Sequence, residues 1–347
     1  MELKHIITDE EAGKIRELLD GASHIVVTCH TNPDGDAMGS MTAMVHLLER
    51  LGHQAVAVAP DRWPDNLLWL PGADKVLNYA KQKEEVDALL KEADLVFLMD
   101  HNQLNRMNEL GEAVAACPAK RVMIDHHPDP DREVCEVVVS QPSLCAAAEV
   151  LYRLMDQMGW AEGLTYDEAT CLYAAMMTDT GGFTFASNRP EVFLIVSRLL
   201  ETGIDKDKIY RNVFFTGSSD RYRMMGYLLY VKMEVMRDLN AAVMSLTAEE
   251  RRMFKIRQGE TDGFVNLPLQ IERMRLSIFL REDTERKGVV RVSLRSVDDF
   301  PCNEMSAEFF NGGGHRNASG GTIYGTMDEA LELVRKAIRK YAPLLKN

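Results

Sequence analysis

Nowhere does the chain hold the ~18 consecutive apolar residues that a membrane-spanning helix requires. Its opening, MELKHIITDEEAG, also lacks the charged-then-apolar pattern of a secretory leader. A cytoplasmic protein without a membrane partner is therefore expected. The six cysteines, Cys29, Cys117, Cys135, Cys145, Cys171 and Cys302, show no Cys-x-x-Cys spacing and no nearby Cys/His pair. Buried free thiols are expected, rather than a zinc knuckle or a disulfide framework. Internal repeats and low-complexity tracts are missing too. What remains, 46% hydrophobic and 27% charged residues, excludes a mainly disordered or collagen-like chain.

Positive charge is also scarce, and unevenly so. The net charge is −13. Residues 231–347 hold 19 Lys+Arg against 17 Asp+Glu, while the preceding residues hold 21 against 36. Long nucleic acids draw affinity from Lys and Arg that neutralise phosphates. This balance argues against a binder of long RNA or DNA and leaves room for a short phosphorylated ligand.

A length of 347 residues favours two domains. Thr8 and Glu11 form a capping pattern ahead of a first helix. Apolar, β-branched runs follow at His24–Cys29, Ala55–Ala59, Leu95–Met99, Arg121–Ile124 and Val137–Val139, interspersed with helical patterns. Fully apolar strands alternating with helices predict an α/β, doubly wound, mainly parallel sheet. Helices are predicted at about 143–159, 167–178 and 190–202, and RYRMMGYLLYVKMEV is read as a joining helix. The expected division is 1–195 for the first domain, 196–238 for a helical linker and 239–347 for a smaller α+β domain with strands near 275–281 and 289–295.

Acidic and histidine residues collect at the ends of these elements, where open α/β sheets place their ligands. TCHTNPDGDAMGS carries His30, Asp34 and Asp36, LVFLMD ends in Asp100, RVMIDHH ends in Asp125, His126 and His127, and CLYAAMMTDTGG carries Asp179. Taken singly each has an ordinary explanation: Asp36 suits a helix cap, Asp34 a turn, His126 a packed ring. Together, so many carboxylates repel one another unless cations lie between them. Oxygen and imidazole donors without thiolate fit Mn²⁺, with Mg²⁺ as the other candidate. His5, His24, His46, His53 and His101 lack this setting and are read as structural or solvated.

With these motifs assembled, the sequence resembles the DHH phosphoesterase family, named for the triplet present here as Asp125-His126-His127. HTNPDGDAMGS, Asp100 followed six residues later by Arg106, the triplet, TDTGGF and GGGHRNASGG match in order across about 24–325. The resemblance implies a Rossmann-like metal domain, a smaller substrate-binding domain and two Mn²⁺ ions. Carried over by position, His30, Asp34 and Asp100 would hold one ion, and Asp36, Asp100, His126 and Asp179 the other. Asp100 would bridge. The length and GGGH ending are similar to small bacterial enzymes that degrade very short oligoribonucleotides and dephosphorylate 3′-phosphoadenosine 5′-phosphate. Inorganic pyrophosphatases and linear or cyclic dinucleotide phosphodiesterases of the same family are the alternatives.

Three catalytic roles are assigned beside the ions, to Asp100, Asp125 and His127. His127 either orients the scissile phosphate and helps protonate the leaving oxygen, or simply partners Asp125. Arg106 either contacts phosphate or neutralises the acidic site. In the second domain Gly312, Gly313 and Gly314 offer backbone N–H groups beside His315, Arg295 and Ser296, a predicted pocket for a terminal phosphate. A homodimer is the expected assembly.

Overall fold

The computed structural model describes residues 2–257 and 259–345, which fall into two compact units dividing between Thr216 and Gly217. That boundary lies inside the stretch 196–238 read from sequence as a linker.

The first unit begins with α1 (Asp9–Asp20), closed at its start by the expected Thr8–Glu11 box. β1 (Ile25–Thr28), α2 (Gly35–Arg50), β2 (Ala55–Ala59), β3 (Leu77–Asn78), α3 (Lys83–Glu92), β4 (Leu95–Met99), α4 (Glu109–Ala116), β5 (Lys120–Asp125) and β6 (Val137–Ser140) follow. Four helices complete it: α5 (Ala147–Gln157), α6 (Tyr166–Asp179), α7 (Pro190–Glu201) and α8 (Lys206–Phe214). The six strands form one parallel sheet in the order β3-β2-β1-β4-β5-β6. The chain adds β2 and β3 on one side of β1 and β4 to β6 on the other, so the carboxyl ends of β1 and β4 open a crevice between the two connections.

The continuous apolar runs of β1 and β4 reflect burial on both faces. Ile25, Val27, Phe97 and Met99 pack into a core shared with α2, α5 and α6, whereas Val26, Val96 and Leu98 pack against α3 and α4. Each such side chain contributes about 1.5–3 kcal/mol by leaving water. Val192, Ile195 and Leu199 of α7 and Ile209 and Val213 of α8 belong to the first of these cores, which explains why the unit extends to Thr216. Glycine makes one packing contact decisive. A Cβ on Gly39 would lie 2.7 Å from the Cys171 carbonyl oxygen and 2.8 Å from the Ala175 Cβ, so α2 touches α6 only because that atom is missing.

The second unit contains α9 (Ser219–Tyr227), β7 (Glu234–Met236), β8 (Ala241–Leu246), α10 (Ala248–Met253), β9 (Leu276–Glu282) and β10 (Val289–Ser296). It ends with α11 (Cys302–Phe309), β11 (Gly313–His315), β12 (Ala318–Tyr324) and α12 (Met327–Leu345). The strand order is β11-β12-β10-β9-β8-β7, antiparallel except for β8 with β9. Two readings are corrected here. The single joining helix stops at Tyr227, passes through one wide turn at Leu228–Lys232 and becomes the edge strand β7. The Gly-rich segment is a β-hairpin, its strands masked in the sequence by residues with little β propensity. No helix of the described residues is long and apolar enough to cross a membrane.

Candidate active site

Four element ends of the first unit converge at the crevice beside β1 and β4. The turn after β1 brings His30, which is buried. Its Nδ1 lies 2.7 Å from the Thr31 carbonyl oxygen and must donate to it, which turns Nε2 toward Asp100 Oδ2, 3.3 Å away. The main chain of Thr31 is itself fixed by Arg106, whose carbonyl accepts from the Thr31 amide at 2.8 Å and from its hydroxyl at 3.0 Å. Arg106 thus shapes the site through its backbone, whatever its guanidinium does.

At the start of α2 the roles of two aspartates are exchanged relative to the helix-cap reading. Asp34, not Asp36, caps the helix, its Oδ1 accepting from the amides of Asp36 and Ala37 at 3.0 Å each. Asp36 is buried in the first turn and accepts from the Ala147 and Ala148 amides at 2.6 and 3.1 Å, the amino end of α5.

Asp100 follows β4 with φ of +59°, a conformation that costs an L residue roughly 1–2 kcal/mol and that aspartate tolerates better than most. It is 2% exposed, and its Oδ1 has no hydrogen-bond partner. The next residue, His101, is a fully buried ring, settling its structural-or-solvated reading in favour of structure. Its Nδ1 donates to the Met99 carbonyl at 2.9 Å, and burial lowers its pKa to about 4.

After β5, His126 and His127 diverge. His126 directs Nε2 to three carboxylates at once, 3.5 Å from Asp100, 3.7 Å from Asp179 and 3.8 Å from Asp36, while Nδ1 faces the Leu144 carbonyl at 3.3 Å. His127 is clasped by Asp125, which accepts from its Nδ1 at 2.8 Å and from its amide at 3.0 Å. Asp125 is therefore engaged in orienting that ring. Asp179 arrives from the carboxyl end of α6.

These groups form three overlapping clusters whose donor atoms lie within 4.8 Å of one another: His30, Asp34 and Asp100; Asp36, His126 and Asp179; and Asp100, His126 and His127. Their electrostatics is that of an acidic cage seeking cations. Burial, then the charges of Asp100 and Asp179, pushes Asp36 well above the carboxylate range, and burial carries Asp179 to about 7. Burial opposes charging of the two histidines, but the carboxylates outweigh it and raise His30 to about 9 and His126 to about 11. Burial likewise works against the Asp100 anion, yet His126 and His30 hold it well below the usual range. Hard oxygen donors, imidazole nitrogens with fixed tautomers and a buried orphaned carboxylate oxygen are what a divalent ion requires. The residues present fit such ions.

In the second unit, pairing of β11, β12 and β10 aligns His315, Ala318 and Arg295 in one cross-strand row, so His315 and Arg295 share a face on either side of a small residue. Burial lowers the Arg295 pKa, and its Nη1 donates to the Leu294 carbonyl at 2.8 Å. Gly313 is exposed, and Gly314 adopts φ of +133°, which only glycine enters readily. Ser296 is committed locally: its hydroxyl donates to the Phe300 carbonyl at 3.0 Å and accepts from Asn317 at 3.0 Å.

Sequence reasoning missed the Leu144–Ala148 segment, whose main chain touches Asp36 and His126, and Glu149, which bonds the Cys145 amide within it. No signal in the sequence marked the burial of Glu149, because Arg153 at i+4 makes it read as half of an exposed helix pair.

Two family models match this chain: the DHH family, N-terminal domain, over residues 24–176, and the DHHA1 domain over residues 238–342. A bifunctional oligoribonuclease and PAP phosphatase NrnA of Thermus thermophilus is 30% identical over 321 residues, spanning 91% of this chain and 89% of its own. The protein of the same name from Bacillus subtilis is 25% identical over 309 residues, 88% of this chain and 91% of its own. Among solved structures, an exopolyphosphatase-related protein from Bacteroides fragilis superposes with a TM-score of 0.95 at 44% identity, over 99% of this chain and 100% of that one. RecJ of Thermus thermophilus in complex with Mn²⁺ shares the fold at a TM-score of 0.54 and 14% identity, over 99% of this chain and 55% of RecJ.

Proposed function

The chain belongs to the DHH family and is a hydrolase of phosphoester bonds, and from that premise we propose that it is a Mn²⁺-dependent enzyme of short oligoribonucleotides and 3′-phosphoadenosine 5′-phosphate. It would release nucleoside monophosphates one at a time from the former and AMP from the latter. The observation that carries this reading is the buried Asp100 carboxylate, unpartnered at Oδ1 and flanked by the two histidine–carboxylate clusters. The substrate class is supported by the relatives named as oligoribonucleases and PAP phosphatases, and by a chain too acidic to hold long RNA.

In this reading His30, Asp34 and Asp100 hold one ion, and Asp36, Asp100, His126 and Asp179 the other, with Mg²⁺ an acceptable substitute. A pair of divalent ions so held polarises the phosphoryl group, activates water and stabilises the leaving oxygen. The protein's own groups do the rest. The Thr31 and Leu144 carbonyls hold the Nδ1–H groups of His30 and His126, so each would offer Nε2 to an ion that displaces its proton. Asp125 aims His127, whose imidazole is suited to hold the scissile phosphate and deliver a proton to the departing oxygen. Arg106 balances phosphate charge. Arg295, His315 and the amides of Gly313 and Gly314 form a basic, close-approach surface for a terminal phosphate, with Ser296 setting the end of β10.

A second reading, hydrolysis of pyrophosphate or a longer phosphate chain, is favoured by the description of the 44% identical Bacteroides fragilis protein as exopolyphosphatase-related. One panel separates the two: RNA of two to five nucleotides, a long RNA, single-stranded DNA, a linear dinucleotide, the bisphosphate nucleotide and pyrophosphate, at equal concentration with Mn²⁺. Preference for the shortest RNAs and the bisphosphate is expected. Faster phosphate release from pyrophosphate than from either refutes the proposal.

A further inference from the structure

Outside the clusters described above, two acidic side chains, Glu149 and Glu168, are fully buried and multiply bonded, and Glu149 is the one beside the turn that touches the site. Glu149, on the first turn of α5, is 0% exposed. Its Oε1 accepts from Arg153 Nε and Nη2 at 3.0 and 2.9 Å and from Arg189 Nη1 at 2.9 Å. Its Oε2 accepts from Arg189 Nη2 at 2.5 Å and from the Cys145 amide at 2.8 Å. Burial works to raise its pKa, and Arg189 with the Cys145 amide outweighs that and holds it below the ordinary value. Glu149 is therefore a carboxylate anion shared by two guanidinium groups.

Buried ion networks of this kind are a poor source of stability, since well-packed apolar residues often serve as well. What this one does is geometric. The Cys145 amide it binds lies in the turn before α5, and that turn together with the first residues of α5 supplies the backbone groups that touch Asp36 and His126. The Leu144 carbonyl faces His126 Nδ1, and the Ala147 and Ala148 amides bind the Asp36 carboxylate. Arg189 bonds the same carboxylate from a separate chain segment. It closes the segment that leaves α6 at Asp179 and enters α7 at Pro190, so the chain carrying the third donor is tied to the same carboxylate. Asp36 and His126 trace back to Glu149 through these backbone groups, and Asp179 through the segment that Arg189 anchors. The His30 and Asp34 side chains make no bond to this turn: the Thr31 carbonyl holds His30, and Asp34 accepts from the main-chain amides of Asp36 and Ala37.

We propose that Glu149, clamped by Arg153 and Arg189, is a positioning residue that presets the Asp36–His126–Asp179 ion site and leaves the His30–Asp34 side independent. This rests on the two-ion reading above. It predicts unequal damage: loss of the clamp weakens one ion and spares the other. Altering the groups that orient metal ligands typically costs roughly 10–100-fold in affinity.

The test uses the full chain, stripped of metal and titrated with Mn²⁺, with free ion followed by electron paramagnetic resonance and unfolding of the metal-free form followed by heating. Glu149→Gln removes the charge and keeps an acceptor for the Cys145 amide. Arg189→Met removes one arm, leaves the Arg153 pair and carries the test if Glu149→Gln does not fold. Two ions are expected in the unsubstituted protein, with one weakened roughly 10–100-fold in either variant and the other unchanged. A lowered melting temperature with both affinities intact, or equal weakening of both, overturns the assignment. Unsubstituted protein that takes up fewer than two ions overturns the two-ion reading itself, a result read before any variant is made.

Discussion

At the scale of the residue, the centre is a contest between protons and metal for the same donors. Without cations, His30 titrates near 9 and Asp179 near 7, and His126 stays protonated up to about 11. Each is raised, so each holds a proton below that value, and a divalent ion must displace it. Binding therefore weakens as pH falls through the window from about 9 to below 7. We expect Mn²⁺ affinity to be on the order of tenfold or more higher at pH 8.5 than at pH 6.5, with proton release on binding visible calorimetrically as a dependence on buffer. A pH-independent affinity would contradict the donor set. Asp100→Ala is expected to abolish hydrolysis and metal uptake together, because its carboxylate lies against both histidines. A variant that keeps both ions and near-normal turnover would remove Asp100 from the centre.

The elements matter through the closeness of α2 and α6, which carry Asp36 and Asp179 on neighbouring ends. That closeness depends on Gly39 and, one turn earlier, on Gly35, where a Cβ would fall 2.2 Å from Thr178 Oγ1. Overfilling such a contact costs typically 1–3 kcal/mol and shifts backbone. Gly39→Val is expected to lower stability by about that amount and, by moving α2, to weaken Mn²⁺ binding as well. Chemical denaturation alongside a metal titration checks both. An unchanged midpoint would show that α2 has room to spare. The sequence offered this helix as one of the helical patterns between the strand runs, but not its neighbour. Asp36 looked like the cap because it stands next to the first helical residues, and only the observed main chain gives that task to Asp34.

For the molecule as a whole, charge is divided between the units, with the acid concentrated in the one that holds the carboxylate cage. His315 and Arg295 lie in the less acidic unit, on one face of its sheet. His315→Ala or Arg295→Ala is expected to raise KM for a 5′-phosphorylated dinucleotide several-fold, with kcat and hydrolysis of a small phosphodiester lacking a terminal phosphate nearly unchanged. Steady-state kinetics on the two substrates tests this. Equal effects on both would place these residues outside terminal-phosphate binding.

By itself the amino-acid sequence determined the parallel sheet of the first unit, because strands buried on both faces leave continuous apolar runs that few other structures tolerate. It also singled out acidic and histidine residues that the structure brings together beside β1 and β4, through their conjunction at the ends of such runs. Tertiary structure alone decided which oxygen or nitrogen of each donor is turned inward, a matter of hydrogen bonds from Thr31, Leu144, Ala147 and Ala148 that are remote in the chain or made by its backbone. It decided as well that Glu149 is buried and that the glycine-rich tail pairs as a hairpin. Local patterns encode periodicity and burial. Which groups meet across many residues follows only from how the packed elements close on one another.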